Sequence, residues 1–223
     1  MVPGAAAGGI GVLLFGAGAV AIGELPAFDA SGEEIASHLD RNRTRIQIGA
    51  ALDALAAPFL VWFLATIVQV ASARGPAAGR TATVAFGCGL IYVAVFLIDV
   101  SALAVSALRP ENMAAAPELA RALRDLEWIA IGIVTPLGTA MLAAFAALAL
   151  RERAVWPAWL GRLAVLAAGA YLLRIGTVFT DRGAFAADGA LGLYLPVAAF
   201  AAWIATASVV LAIESRRWTS ASS

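Results

Sequence analysis

Cysteine and histidine are almost absent from the 223-residue chain, which has one of each, Cys88 and His38. Disulfide frameworks, thiolate zinc sites and cysteine-ligated clusters need several such ligands, as do bis-histidine haem and multi-histidine iron centres. A Ser/His/Asp triad would have to use His38, which lies in a polar connector and not in an apolar pocket. We therefore expect no metal and no cofactor.

Lysine is absent and charge is scarce. The fifteen basic residues are all arginines, fifteen acidic residues balance them, and charged residues make up 13% of the chain. Because there is no net charge and no basic run, nucleic-acid binding has no electrostatic basis. The chain is instead 62% hydrophobic, with a mean hydropathy of +0.88, which exceeds what a soluble domain carries. This composition predicts an integral membrane protein.

Six apolar windows are long enough to cross a hydrocarbon layer, for which about 20 residues are needed. They cover roughly residues 8–28, 46–72, 81–108, 123–150, 159–179 and 190–213. The first window lacks a basic n-region and a cleavage site, which favours a retained span over a signal peptide. The sequence thus predicts a single all-α domain over residues 1–223, a polytopic bundle of six transmembrane helices in the plasma membrane.

An even number of spans places both termini on one side of the membrane. Seven arginines fall on each side, but the loops on the side of the termini are short and contain few acidic residues, which favours cytoplasmic termini. On the opposite side we expect short interfacial helices. In the first of these connectors Ser31 and Glu34 have capping-box spacing, and Ile35 and Leu39 share a helix face.

The second connector, residues 117–126, is predicted to continue as a helix into the fourth span. Its charged residues have helical spacing that allows two local ion pairs, Arg121 with Asp125 and Arg124 with Glu127. At an exposed position each pair would contribute only a few tenths of a kcal/mol.

Ionisable side chains within the spans are distributed unevenly. The half of the membrane toward the termini has none. Six fall toward the opposite face: Glu24, Asp53, Asp99, Glu127, Arg174 and Asp181. A charged group at the bilayer centre costs about 3 kcal/mol or more, so such residues usually face a bundle interior or a wet cavity and mark function. The first four are carboxyls that face one cation, Arg174, and they cannot all be desolvated anions. Hydration near the surface, a protonated carboxylic acid or a bound cation would resolve the imbalance.

Polar neighbours at helical spacing predict a lined pocket. In the third span Tyr92, Asp99 and Ser106 recur at seven-residue intervals and form one polar stripe. The fifth span carries a similar face, with Tyr171, Arg174 and Asp181. Two interpretations of Asp99 and Arg174 stay open, an ion pair that fixes helix register and a substrate, proton or ion site. Glu24 and Glu127 lie close enough to headgroup depth for simple hydration.

Two segments, Asn42–Gly49 (NRTRIQIG) and Trp156–Leu163 (WPAWLGRL), resemble parts of a large group of small bacterial multi-span membrane proteins of unknown function. This resemblance implies a six-span layout and no activity. At the level of class, the chain is also similar to the membrane-bound terpene cyclases. Those enzymes are small, all-helical and metal-independent, and they use carboxyl groups at one end of the bundle to protonate an epoxide or alkene of a prenylated substrate.

The leading hypothesis is a membrane-embedded enzyme that takes a lipophilic, isoprenoid substrate from the lipid and performs acid-initiated cyclisation or epoxide opening. The candidate catalytic residues are Asp99, Asp53, Glu24 and Glu127. The candidate substrate-binding residues are Arg174, Tyr92, Tyr171, Asp181, Phe96 and Ser106. The aromatic side chains would stabilise a carbocation by cation–π contact.

Two other functions stay open, a proton- or cation-coupled transporter with Asp53 and Asp99 as carrier sites, and a non-catalytic scaffold or sensor subunit. The expected partners are membrane lipids and the lipophilic substrate. Small-residue faces such as those of Gly9, Gly16 and Gly23 would permit either tight packing within the chain or a homo-oligomer.

Overall fold

A computed structural model describes residues 2–151, 156–180 and 182–220, and these ranges contain helices and no strand. The α-helices are α1 Val2–Ile22, α2 Gly32–Ser72, α3 Pro76–Leu108, α4 Pro110–Ala115, α5 Pro117–Leu150, α6 Ala158–Leu173 and α7 Leu195–Ser220. A 3₁₀ helix, Arg174–Val178, continues α6, and a π-helical segment, Ala190–Tyr194, leads into α7. The prediction of an all-α fold is confirmed.

Six helical segments of the described chain are long and apolar enough to cross a membrane. They are Gly4–Ile22, Gly32–Ser72, Pro76–Leu108, Pro117–Leu150, Ala158–Val178 and Ala190–Glu214. Each corresponds to one of the six windows predicted from the sequence. The chain is therefore a multi-pass membrane protein of the all-α class.

The first helix begins earlier and ends earlier than the predicted window of residues 8–28. It ends at Ile22 because Gly23 adopts a left-handed backbone conformation, with φ +74°, which is typical of the residue after a helix C-terminus. The amide of Gly23 still donates a hydrogen bond to the carbonyl of Ala19 over 3.0 Å. Glu24 therefore lies in a connector, beyond the end of α1.

The two connectors predicted to be helical are continuous with spanning helices, whereas α4 is a separate short helix between α3 and α5. α2 begins with the predicted capping box: the Glu34 amide donates to the Ser31 hydroxyl over 3.2 Å, and the Ser31 amide donates to the Glu34 carboxylate over 3.0 Å. α2 has 41 residues, so it is about 60 Å long and much exceeds a hydrocarbon layer of about 30 Å. The first connector is thus the water-facing start of α2 and not a separate helix. α5 begins at Pro117 and continues into its span, as predicted.

The six spanning helices form a closed ring in chain order. α1 packs on α2, α2 on α3, α3 on α5, α5 on α6, α6 on α7, and α7 returns to α1. α2 also contacts α5 across the ring. This arrangement leaves an interior to which every spanning helix contributes side chains.

Two apolar clusters close the ring, one toward each membrane face. The larger cluster lies toward the termini and contains aromatic side chains, among them Phe63, Phe145 and Trp203. The rings of Phe145 and Trp203 stack, with centroids 4.5 Å apart. The smaller cluster lies toward the opposite face, where α4 packs against the starts of α2 and α5. Its buried members are Ile35, Ala36, Leu39, Ile46, Ala107, Met113 and Ala120.

Glycines bring α1 close to α2 at one point that matters for the site. A Cβ atom on Gly18 would lie 2.2 Å from Oδ1 of Asp53 and 3.0 Å from the carbonyl oxygen of Gly49. Gly9 and Gly16, which the sequence suggested as a packing face, have open space around the Cβ position. Close packing of α1 within the chain thus uses a different face, and a homo-oligomer stays a prediction.

Candidate functional site

A cavity of about 270 Å³ lies inside the ring, and every spanning helix contributes to its lining. Its ionisable lining residues are Asp53, Asp99, Arg124, Glu127 and Arg174. Neighbouring helices run in opposite directions, so these positions lie toward the same end, the one opposite the termini. Its aromatic lining residues are Phe15, Phe63, Tyr92, Phe96, Trp128, Phe145, Tyr171, Phe200 and Trp203. We call the part of the cavity that carries the ionisable residues the charged end, and the part around Phe63, Phe145 and Trp203 the aromatic end.

Arg124 and Glu127 form an ion pair inside the protein. Nη1 of Arg124 lies 2.9 Å from Oε2 of Glu127, and the two side chains are only 7% and 6% exposed. The guanidinium also lies over the ring of Trp128, 4.7 Å from its centroid. The predicted Arg124–Glu127 pair is therefore confirmed, but at a buried position. The other predicted pair, Arg121 with Asp125, does not form between these described side chains.

Asp99 lies on α3, half-buried, and its carboxyl faces the cavity. Within the described part of the chain it makes no hydrogen bond and no ion pair. The charged side chains near enough to act on it electrostatically are Glu127, Arg174, Arg124 and Asp53. A direct Asp99–Arg174 ion pair, one of the two interpretations from the sequence, is not formed. Asp99 is thus an ionisable group that faces a cavity without a fixed partner.

Asp53 is less exposed to solvent than Asp99. It is 5% exposed, and its Oδ1 atom is buried without a hydrogen-bond partner among the described residues. Gly18 of α1 and the cavity lie beside it. A buried polar atom without a partner loses its hydration and gains nothing in return. Oδ1 of Asp53 is therefore a hydrogen-bond acceptor that the described residues leave unused.

Two tyrosines and Arg174 form one wall of the cavity, on α3 and on α6 with its 3₁₀ extension. The hydroxyls of Tyr92 and Tyr171 are hydrogen-bonded to each other across α3 and α6, and their rings meet edge to face with centroids 5.8 Å apart. Phe200 of α7 packs on both rings. Arg174 is 5% exposed, and its guanidinium is near enough to the Tyr171 hydroxyl to act on it. This wall presents a hydroxyl pair and a cation to the cavity.

Phe96, another predicted site residue, lines the cavity, with its ring 5.7 Å from that of Phe15. Ser106 does not line it. Its hydroxyl donates to the Ala102 carbonyl over 2.9 Å, and it faces a second cavity of about 10 Å³ between α2, α3 and α5. Glu24 is exposed in the connector after α1 and does not line the large cavity. Asp181 lies outside the described residues.

Arg124 is the functional candidate that the sequence analysis did not select. It was assigned to a connector, although its spacing of three residues from Glu127 and four from Trp128 places all three on one helix face. With Arg124 included and Glu24 exposed, the lining has three carboxyls and two guanidiniums. The charge imbalance predicted from the sequence is therefore smaller than four carboxyls against one cation.

No protein-family model, no curated protein and no solved structure matches this chain. The fold alone therefore defines the class, an all-α multi-pass membrane protein. No group of three or more histidine, cysteine, aspartate or glutamate side chains in the described ranges is arranged to hold a metal ion. The chemistry available to the cavity from its own side chains is that of carboxyl, guanidinium and phenol groups on an aromatic wall.

Proposed function

We propose that the chain is a membrane-embedded enzyme that uses a carboxylic acid to start a reaction on a lipophilic, isoprenoid substrate. The observation that carries this proposal is the unpaired carboxyl of Asp99, which faces an aromatic cavity beside a second carboxyl, Glu127, that is ion-paired. Two carboxyls in unlike surroundings are suited to the unlike roles of acid and base. We place the enzyme in the plasma membrane with cytoplasmic termini.

Asp99 is the proton donor in this proposal, because no cation of the described residues lies within ion-pair distance to hold it as a carboxylate. Glu127 is the proton acceptor, because Arg124 lies 2.9 Å from its carboxylate and stabilises the negative charge. Tyr92 and Tyr171 orient the substrate through their paired hydroxyls. Asp53 accepts a hydrogen bond from a donor on the substrate.

The proposed reaction is an isomerisation. Asp99 gives its proton to the oxygen of an epoxide, and the carbon–oxygen bond breaks with its electron pair going to oxygen, which leaves a hydroxyl and a carbocation. The π electrons of an alkene in the same molecule form a carbon–carbon bond to that cation. The final cation loses a proton to Glu127, and this proton returns to Asp99. The faces of Phe96 and Tyr92 stabilise the cationic stages.

The decisive experiment is turnover of isoprenoid epoxides and alkenes by the purified protein, with Asp99→Asn beside the wild type. Positioned general acids contribute about 100-fold to 10,000-fold, so Asp99→Asn should lose at least about 100-fold in rate while melting temperature is kept. Glu111→Gln is the matched control, since Glu111 is an exposed carboxyl on α4, and it should keep the wild-type rate. An Asp99→Asn variant with full rate would refute the proposal.

Coupled transport is the alternative with less support. Every ionisable side chain that lines the cavity lies toward one membrane face, so the described lining offers no charged relay through the aromatic end. If reconstituted vesicles show proton or cation flux that Asp99→Asn abolishes, and no substrate is converted, transport replaces the enzymatic proposal.

A further inference from the structure

Arg174 is a buried cation, and no carboxylate of the described residues lies within ion-pair distance of it. It opens the 3₁₀ helix that follows α6, lines the cavity, and is 5% exposed. The ion pairs Arg124–Glu127 and Arg182–Asp29 do not involve Arg174. No guanidinium nitrogen of Arg174 lies within 4.0 Å of a described carboxylate oxygen.

The carboxyls nearest to Arg174 do not neutralise it. Glu127 is held by Arg124 on α5. Asp99 acts on Arg174 only across the cavity, beyond ion-pair distance. Burial of a guanidinium is strongly unfavourable unless a partner compensates its lost hydration. Among the described residues the Arg174 guanidinium therefore lacks an ion-pair partner, and the Tyr171 hydroxyl lies near it.

We infer that Arg174 binds the anionic head group, a carboxylate or a phosphate, of an amphiphilic ligand whose hydrocarbon tail lies along the aromatic part of the cavity. A guanidinium fork matches both kinds of head group in two parallel hydrogen bonds. The Tyr171 hydroxyl can donate a third. The tail would run past Phe200 toward Trp203, in the direction where the lining carries no charge. That this ligand is also the substrate rests on the function proposed above.

The test is ligand binding by the purified protein in a neutral detergent. The probes are a C15 isoprenoid carboxylic acid, the matching monophosphate and the matching alcohol. Binding is followed by quenching of tryptophan fluorescence, because Trp128 and Trp203 line the cavity. Charge-assisted hydrogen bonds are roughly twice as strong as neutral ones, so the wild type should bind the acid or the monophosphate at least about tenfold more tightly than the alcohol.

The Arg174→Gln variant should lose this preference for anions while it binds the alcohol as the wild type does. Alcohol binding also reports whether the variant is folded. Arg174→Lys is the second variant and should keep a reduced preference, because a lysine has the charge without the fork. Arg182→Gln is the control, since Arg182 has a side chain that is 76% exposed and lies outside the cavity, and it should retain the full preference.

Two results would overturn the inference: equal affinity of the wild type for acid and alcohol, or an anion preference that survives in Arg174→Gln. Competition distinguishes the source of the head group. If phosphatidylglycerol added to the micelles displaces the isoprenoid acid and phosphatidylcholine does not, the anion is a membrane lipid. If neither displaces it, the ligand is a separate amphiphile.

Anion binding by Arg174 and acid catalysis by Asp99 are contradicted by different results. Asp99→Asn keeps Arg174 and should bind the acid with undiminished preference. If the preference is present in both proteins and the wild type converts no substrate, the anion site stands and the acid catalysis does not. If the wild type turns over acid and alcohol substrates with equal efficiency, the catalysis stands and the anion site does not.

Discussion

The two ends of the cavity are built on different principles. At the aromatic end Phe63, Phe145 and Trp203 pack closely, and its unsatisfied polar atoms are indole nitrogens such as Nε1 of Trp203. At the charged end Asp53 and Arg174 are buried, and neither forms an ion pair with a described residue. An unpaired buried charge costs far more than an unpaired indole N–H. This difference supports the proposal that the charged end is the binding and reaction site, while the aromatic end contributes packing.

The largest effect is expected from removing one member of the Arg124–Glu127 ion pair, which lies at the charged end. Arg124→Met leaves Glu127 buried without its partner, and loss of one member of a buried ion pair costs about 3–5 kcal/mol. The double variant Arg124→Met/Glu127→Leu removes both charges and should recover most of that loss. Reversible unfolding in mixed micelles measures both.

Arg121→Met is the control for that variant, because Arg121 is exposed on the same helix and forms no ion pair with a described residue. Its free energy of unfolding should lie within about 0.5 kcal/mol of that of the wild type. If the single and double variants at Arg124 and Glu127 are equally destabilised, the two side chains stabilise the protein by packing and not by compensating each other's charge.

A change at the aromatic end should lower stability without changing what the charged end recognises. Trp203 is 1% exposed between Phe63, Phe145 and Trp156, and Trp203→Ala should cost about 3 kcal/mol. We expect the low end of the usual range because the side chain already borders a cavity and lacks contacts on that side. The same variant should keep the ratio of acid to alcohol affinity, measured with a fluorescent acid analogue. A changed ratio would mean that the two ends are not separable.

Much of the fold could be predicted from the sequence, because membrane spans and helix starts are local signals. Window length and hydropathy located all six spans, and the spacing of Ser31 and Glu34 predicted the capping box at the start of α2. The clustering of ionisable residues toward one membrane face also follows from counting along antiparallel spans. Asp53, Asp99 and Arg174 could be selected in this way, and all three line the cavity.

The rest of the site depends on tertiary structure that no single window contains. Glu24 was placed inside the first span because hydropathy continues through it, whereas the left-handed backbone of Gly23 ends the helix before it. Arg124 was assigned to a connector because it lies at a span boundary. Only the packing of α5 inside the ring makes it buried. Ser106 shares a helix face with Asp99, but α2 and α5 close around it and separate it from the large cavity.

The smallest effect we predict concerns the place where α1 meets the charged end. A Cβ on Gly18 would lie 2.2 Å from Oδ1 of Asp53 and 3.0 Å from the backbone oxygen of Gly49. The carboxyl can rotate away, but the backbone oxygen cannot, so Gly18→Ala must separate α1 from α2. We expect a loss of about 1–3 kcal/mol from overpacking, and an altered affinity for any ligand that Asp53 contacts.

Gly16→Ala is the matched change on the same helix, because nothing lies within 4 Å of a Cβ there. Alanine favours a helix over glycine by about 1 kcal/mol, so Gly16→Ala should be neutral or stabilising under the same unfolding measurement. The difference in free energy of unfolding between Gly18→Ala and Gly16→Ala measures the effect of the contact at Asp53 apart from that of helix propensity. Equal stabilities would show that α1 does not press on Asp53, and that the charged end is shaped by α2, α3, α5 and α6 without it.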